Sequence, residues 1–428
     1  MDRFIAHDSR SSAQRAMNRC RELSEAPYSD IPDGLFRPFL GSAHTVTSER
    51  VMAWMQEAGL SVRRDAIGTL IGRYEGAQPD APALLIGSHI DSVRNGGAFD
   101  GMLGVVLAIE CVSALRSNNQ RLPCAIEVAA FGDEEGSRFP QSMLGSRTLS
   151  GKSVGSVAGI QDQDGVTLQY ALKGVGLDIA CLERAHRSPH EFLGYLELHI
   201  EQGPILDREG LSVAAVEAIV GIRRFHVILK GEAGHAGTVP MEMRRDALAA
   251  ASEIVLGIEA YANQSEGRLR ATVGKSEAFP GAINIIPGRV AFTVELRSAD
   301  RSGLDLSVLD VTSLIETICA RRNISATIFD RQDFEPALCD TRLTARLEDC
   351  IETAGHPRKR LVSGAGHDAM MMCDWIPTTM LFIRSPGGIS HHPAETVELK
   401  DVAAAFDVMM TFVTSLDAWR GRPEGEMQ

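Results

Sequence analysis

The chain has no Cys-x-x-Cys pair, no apolar leader at its N-terminus and no repeat or low-complexity segment. Nor does any apolar run reach the roughly 18 residues that a bilayer-spanning helix needs. Each absence removes a class. The eight cysteines (20, 111, 124, 181, 319, 339, 350 and 373) lack zinc-finger spacing, and several lie in apolar runs. They read as buried, reduced thiols, and with the leaderless start MDRFIAHDSR they point to the cytoplasm. Positive charge is also short, with 43 Lys and Arg against 56 Asp and Glu, a formal charge of −13. Such a surface argues against nucleic acid or an anionic membrane as partner. A local arginine cluster can still hold a small anionic substrate.

What remains is an ordinary globular composition, 44% hydrophobic and 23% charged, on a chain of 428 residues. That length exceeds one ordinary core, so two domains are expected. Residues 42–60 carry apolar positions at helical spacing and end near Gly59. ALLIGSHID (83–91) and CAIEVAAFGD (124–133) have the look of buried parallel strands flanking a helix from Met102 to Leu115. YLELHI (195–200) and TTMLFI (378–383) read as further strands of that sheet. The middle of the chain differs. Strand-like runs at 223–234, 270–275, 289–298 and 324–329 alternate with helices over 244–261 and 304–322. The expected fold is α/β, with a central mostly parallel mixed sheet and helices on both faces. Residues 1–213 and 332–428 would form it, and an α+β, ferredoxin-like domain of residues 214–331 would be inserted. The segment 151–190 has only weak periodicity.

Five side chains of metal-ligand type sit at strand ends or Gly-rich turns: His89, Asp100, Glu135, His199 and His391. A pair of cations about 3.5–4 Å apart needs such a set, with one ligand bridging and a nearby carboxylate to activate water. Each residue also has a structural reading. His89 and Asp91 could be a polar pair at a strand end, or a ligand whose second N–H is held by the acid. Asp100 stands before Gly101 and a helix start, so it could be an N-cap or a bridging carboxylate. Glu134 and Glu135 follow an apolar run at the edge where α/β active sites form, and neighbouring side chains point apart. One can therefore bind metal (Glu135) while the other serves as base (Glu134). His199 could be a core histidine, and in SHHP either His391 or His392 could ligate. Taken together, the five make a coincidence of structural readings hard to sustain.

The motifs ELHIEQGP, EEGSRF, GHAGTVPM, RRDA, SGAGHDA and GISHHPAE resemble, in combination, the amidase, hydantoinase and carbamoylase branch of the M20 peptidase clan. The resemblance runs from about Arg37 to about Leu416. It implies a catalytic domain with two divalent metals (zinc or manganese first, cobalt or nickel as alternatives) and a lid and dimerisation domain. By motif it implies that His89 and His199 serve one metal, Glu135 and His391 the other, and that Asp100 bridges. Asp91 matches the acid supporting the first histidine and Glu134 the general base. In the lid, His235 matches an oxyanion-stabilising group that often reaches the partner subunit's site. Asn284, Arg297 and, outside the lid, Gln202 match substrate-holding positions, with His367 placed at the pocket.

The resemblance further implies metal-assisted hydrolysis of a terminal ureido group on a small carboxylate, by a homodimer. Arg94 in SVRNGG favours allantoate, giving ureidoglycine, ammonia and carbon dioxide. N-carbamoyl-L-amino acids are the alternative. An aminopeptidase or dipeptidase of the clan is disfavoured by ELHIEQG. A non-enzymatic metal-binding protein is disfavoured because no expected ligand or base is missing.

Overall fold

The structure is a computed structural model that describes residues 8–152 and 159–415. It divides into two compact units, Ala218–Leu338 and the remainder on either side of it in sequence. The boundary expected at 331 falls inside a strand, Ser325–Phe334, whose pairing resumes after an irregularity between Phe329 and Gln332. Its second half is exposed and charged, so no apolar alternation marks it as a strand.

The larger unit is built on a mixed sheet. Its central strands, Ala125–Phe131, Ala83–His89, Phe192–Ile200 and Thr378–Ile383, are adjacent in that order and parallel. Antiparallel strands flank them, Leu70–Tyr74 and Ser61–Arg64 on one side and Val213–Ile219 on the other. The parallel strands are buried along their length, which explains their unbroken apolar runs. Period-2 alternation divides the work of the two faces. Leu84, Ile86, Leu196, Leu198 and Ile200 join a core with helices Ser9–Glu22, Met102–Ser117, Thr341–Thr353 and Leu399–Thr414. Tyr195, Glu197 and His199 alternate with them, and the short helix Ala369–Met372 caps Glu197 by donating its Ala369 N–H.

The smaller unit has the strand order Ser276–Phe279, Arg289–Ser298, Gly221–Lys230, Ser325–Phe334, all antiparallel. Helices Ala247–Asn263 and Arg301–Arg321 cover one face through Ile254, Ile258, Val311 and Ile315. Two strand–helix–strand halves on one antiparallel sheet make a ferredoxin-like unit. The first helix begins at Ala247 and not at Arg244, because Asp246 caps it by accepting the N–H groups of Leu248 and Ala249.

Among the described residues no helix is long and apolar enough to cross a membrane. All eight cysteines are unbridged. Leu198 is fully buried at the centre of the larger core. Leu198→Ala is expected to cost about 2–5 kcal/mol, the range for a truncated core leucine. A urea midpoint equal to that of the parent would contradict this placement.

Candidate metal centre

The parallel strands end at one edge of the sheet, where α/β proteins gather their chemistry. His89 ends the first strand, and Asp100 follows on a turn before the Met102–Ser117 helix. Glu134 and Glu135 follow Phe131, the last residue of the second. His199 lies one residue from the end of the third, and His391 lies on the loop after the fourth. Asp100 is not spent as a cap: the helix N-cap is Gly101, and no side chain bonds the first turn. Gly101 has φ +65°, and a Cβ there would stand 2.4 Å from His89 Nε2. Only glycine allows the turn to bring Asp100 over His89.

Two groups of metal-type donors result, His89 with Asp100 and His199, and Asp100 with Glu135 and His391. Asp100 belongs to both. Its Oδ1 lies 3.8 Å from His89 Nε2 and 3.0 Å from His199 Nε2. Its Oδ2 lies 3.2 Å from His391 Nε2, which is 3.5 Å from Glu135 Oε2. The carbonyl of Ile200 lies 2.9 Å from His199 Nδ1, and that of Asp91 lies 3.2 Å from His89 Nδ1. A carbonyl can only accept, so each Nδ1 carries the proton and each Nε2 turns toward Asp100. Glu134 belongs to neither group, but its Oε2 stands 3.9 Å from His89 Nε2.

The electrostatics report a deficit of positive charge. Burial pushes the carboxyls of Glu134, Asp133 and Asp368 well above the usual range, and Asp91 upward. Burial and the Asp100 charge raise Glu135 and Glu395 to about 7. Burial opposes charging of His89, yet Asp100, Glu134 and Asp91 outweigh it and hold the imidazole well above its ordinary value. Hydrogen bonding to Asp100 pushes His391 up to about 9. The chain's own donors thus compete for protons where cations would supply the missing charge. Asp100 Oδ1 is buried and accepts no well-formed hydrogen bond, which is what a ligand oxygen looks like without its ion. Imidazoles and carboxylates without a thiolate suit zinc, manganese, cobalt or nickel.

Several expected residues have other surroundings. Asp91 does not hold His89 chiefly through its carboxylate, whose Oδ1 is 3.6 Å from Nδ1. The carboxylate instead accepts the backbone N–H groups of Glu134 and Glu135, both at 3.2 Å, and so orients the tandem glutamates. His367, expected at the pocket, is 1% exposed and packs against the His199 ring at 4.4 Å, with Nε2 2.7 Å from Ser363 Oγ. Burial and the neighbouring His199 hold its pKa well below the ordinary value, so it stays neutral. It is buried against His199. Arg94 lies on an exposed turn with its guanidinium over the Phe36 ring. Gln202 donates from Nε2 to Asp100 Oδ2 at 3.1 Å and lies 3.4 Å from His391 Nε2. His392 is exposed, and its Nδ1 accepts the Ala394 N–H.

His235, Asn284 and Arg297 lie in the smaller unit. Gly237 N–H donates to His235 Nδ1 at 3.0 Å, which leaves the proton on Nε2. The Asn284 carbonyl accepts the Ala236 N–H. Arg297 Nε donates to Glu295 Oε1 at 2.7 Å. Glu395, Glu197 and Asp368, all buried, stand outside the residues expected at the site. Glu395 stood in the GISHHPAE run, and an acid on a Pro turn beside a ligand was the available signal.

A sheet edge carrying two donor groups that share one carboxylate, with a further buried carboxylate alongside, defines the class of two-unit metal-centre α/β proteins. The Peptidase family M20/M25/M40 profile matches residues 85–415, and the chain belongs to that family. It is 38% identical over 403 residues to an N-carbamoyl-L-amino acid amidohydrolase from Geobacillus stearothermophilus, covering 94% of this chain and 98% of that one. It is 37% identical over 431 residues to allantoate deiminase 1 from Glycine max, covering 94% and 89%. A solved structure, a hydantoinase/carbamoylase family amidase from Burkholderia multivorans, superposes with a TM-score of 0.88 at 30% identity, covering 95% and 97%.

Gly101→Ala would force a methyl into the His89 ring. The variant is expected to retain less than one equivalent of metal by elemental analysis, since displacing one ligand and the shared carboxylate disables both groups. Recovery of parent metal content would refute the reading of the turn.

Proposed function

We propose that the chain is a metal-dependent amidohydrolase that hydrolyses the terminal ureido group of a small carboxylate, allantoate first, with two metal ions per subunit. The observation that carries this reading is the placing of Glu134. It is buried beside the donors but outside both donor groups. A base must reach the reacting water without being consumed as a ligand. Relatives named for allantoate and for N-carbamoyl-L-amino acids support a ureido nitrogen near a carboxylate as the shared substrate chemistry. Allantoate comes first because SVRNGG, with Arg94, resembles the allantoate-hydrolysing members of the family. N-carbamoyl-L-amino acids are the second reading, on the strength of the 38% identical relative.

His89, His199 and Asp100 would hold one ion, and Asp100, Glu135 and His391 the other. When bound, such ions lower the pKa of water and polarise the scissile carbonyl. Glu134 takes the proton of the attacking water and returns it to the leaving nitrogen. The Nε2–H of His235 steadies the oxygen on which charge develops. Gln202 and Asn284 supply amide contacts, and the planar fork of Arg297 suits the substrate carboxylate. The released carbamate collapses to ammonia and carbon dioxide. Allantoate plus one water thus gives ureidoglycine, ammonia and carbon dioxide.

The smaller unit supports a homodimer with shared sites. Arg297 stands eight positions along its strand from Arg289, or about 27 Å at about 3.4 Å per residue. His235 and Asn284 lie beyond the Arg289 end, where Gly234–His235 pairs with Ile285–Ile286. One small substrate cannot touch both ends of that strand. Arg297 of one subunit and His235 and Asn284 of its partner would then complete each site.

Ammonia release from allantoate by metal-reconstituted protein, beside a panel of N-carbamoyl-L-amino acids, tests the substrate. Glu134→Gln is expected to keep its metal and lose at least ~10²-fold in kcat. Near-parent turnover would sink the assigned role. Mixing inactive His235→Ala and Arg297→Ala subunits is expected to restore activity at about one site in four, since half the dimers are mixed and each has one intact site. No recovery after verified subunit exchange would refute the shared site.

A further inference from the structure

Asp100 and His391 reach the centre on loops far apart in the chain, yet they must stand in fixed register to hold the second ion. One residue joins the two loops. Glu395 is 5% exposed, and its Oε1 accepts the backbone N–H groups of both Phe99 and Asp100, each at 3.0 Å. Its Oε2 accepts the Ser390 hydroxyl at 3.2 Å, and that hydroxyl lies 3.4 Å from Asp100 Oδ2. The space for the acid is made by Gly97, where a Cβ would stand 2.1 Å from the Glu395 carboxyl carbon. Glu395 is not used to begin the Leu399–Thr414 helix, whose N-cap is Glu398. One carboxylate thus grips the main chain of the shared ligand and, through Ser390, the residue next to His391.

We infer that Glu395 is a positioning residue that clamps the Asp100 turn to the His391 loop and so sets the affinity of the second ion. The inference rests on the reading of these donors as a two-metal centre. A carboxylate accepting two amide N–H groups on one oxygen makes charge-assisted bonds of fixed direction. Removing it leaves two buried N–H groups without acceptors and uncouples the His391 loop from the Asp100 turn, so the donor group that needs His391 loses its register while His89 and His199 still flank Asp100 Oδ1. Glutamine at the same place keeps an Oε1 acceptor for Phe99 and Asp100, and its amide can donate to Ser390. Aspartate keeps the charge but falls one methylene short.

The test is titration of metal-stripped protein with Zn²⁺, followed by isothermal calorimetry and by elemental analysis after desalting. Glu395→Ala and Glu395→Asp are expected to bind the first ion within about 3-fold of the parent and the second at least about 10-fold more weakly, the scale of a lost outer contact to a metal ligand. Glu395→Gln is expected to stay within about 3-fold for both ions. Should the alanine variant fail to fold, the aspartate variant decides. Unchanged second-ion affinity in a folded Asp or Ala variant overturns the clamp, as does equal weakening of both ions. Parent protein that binds fewer than two ions overturns the two-metal reading itself, which separates that failure from failure of the clamp.

Discussion

The larger unit is organised around a buried excess of negative charge at Asp100. Asp91, Asp133, Glu134, Glu197, Asp368 and Glu395 are all buried near the same sheet edge, with Glu135 half-buried beside them. Arg37, 2% exposed, faces Asp91 but spends its N–H groups on the carbonyls of Ile90 and Leu23. Several kcal/mol is the scale of burying one ion without a partner. Neutralising these acids with protons would leave a set of poor ligands. Neutralising them with divalent cations satisfies both the charge and the orphaned Asp100 oxygen. Because such ions bind the folded chain and not the unfolded one, their binding energy adds to the stability of the fold. Ion binding at the centre would then support the fold as well as the chemistry.

Strand alternation lets one sheet bear both a dense apolar core and this acidic edge. In Phe192–Ile200, leucines and isoleucine go to the helix-covered face, and Tyr195, Glu197 and His199 go to the other. Glu197 is held by the Tyr195 hydroxyl and the Ala369 N–H, and His367 packs edge-on against His199. A ligand so buttressed cannot swing, and a site held by rigid strands needs little rearrangement to accept an ion.

Much of this was readable from residue order. The parallel strands announce themselves as short apolar runs that end in polar residues, and GGAFDG could only be a tight turn. The hairpin Ser61–Arg64 and Leu70–Tyr74 is not legible in the sequence, because the four exposed or half-exposed residues SVRR carry no hydrophobic signature. Helix Ser9–Glu22 buries mostly small residues and carries an equally faint signal. At the site, local motifs exposed the donors but not their supports. Glu395 acts 295 residues away from Asp100, and Asp91 acts on a main chain 43 residues distant. His367 marks the complementary limit. A motif histidine looks the same in sequence whether it faces a pocket or stands behind a ligand, and only packing distinguishes the two.

A centre of this kind activates water for amides in general, so selectivity must come from groups that are not ligands. On the proposed reading the smaller unit serves that task. Its sheet turns one face to its helices, and on the other it carries Arg224, Glu295 and Arg297 as a linked row. Burial works against ionising Glu295, but the two arginines hold its carboxyl below the usual range, so that carboxylate stays ionised at neutral pH. Fixing Arg297 through Nε also lowers the rotamer entropy lost when it engages an anion. Lysine at that position would have no Nε to anchor and no fork to present. On the proposed reading, the metal donors decide that a carbon–nitrogen bond is hydrolysed, and the anchored arginine decides whose.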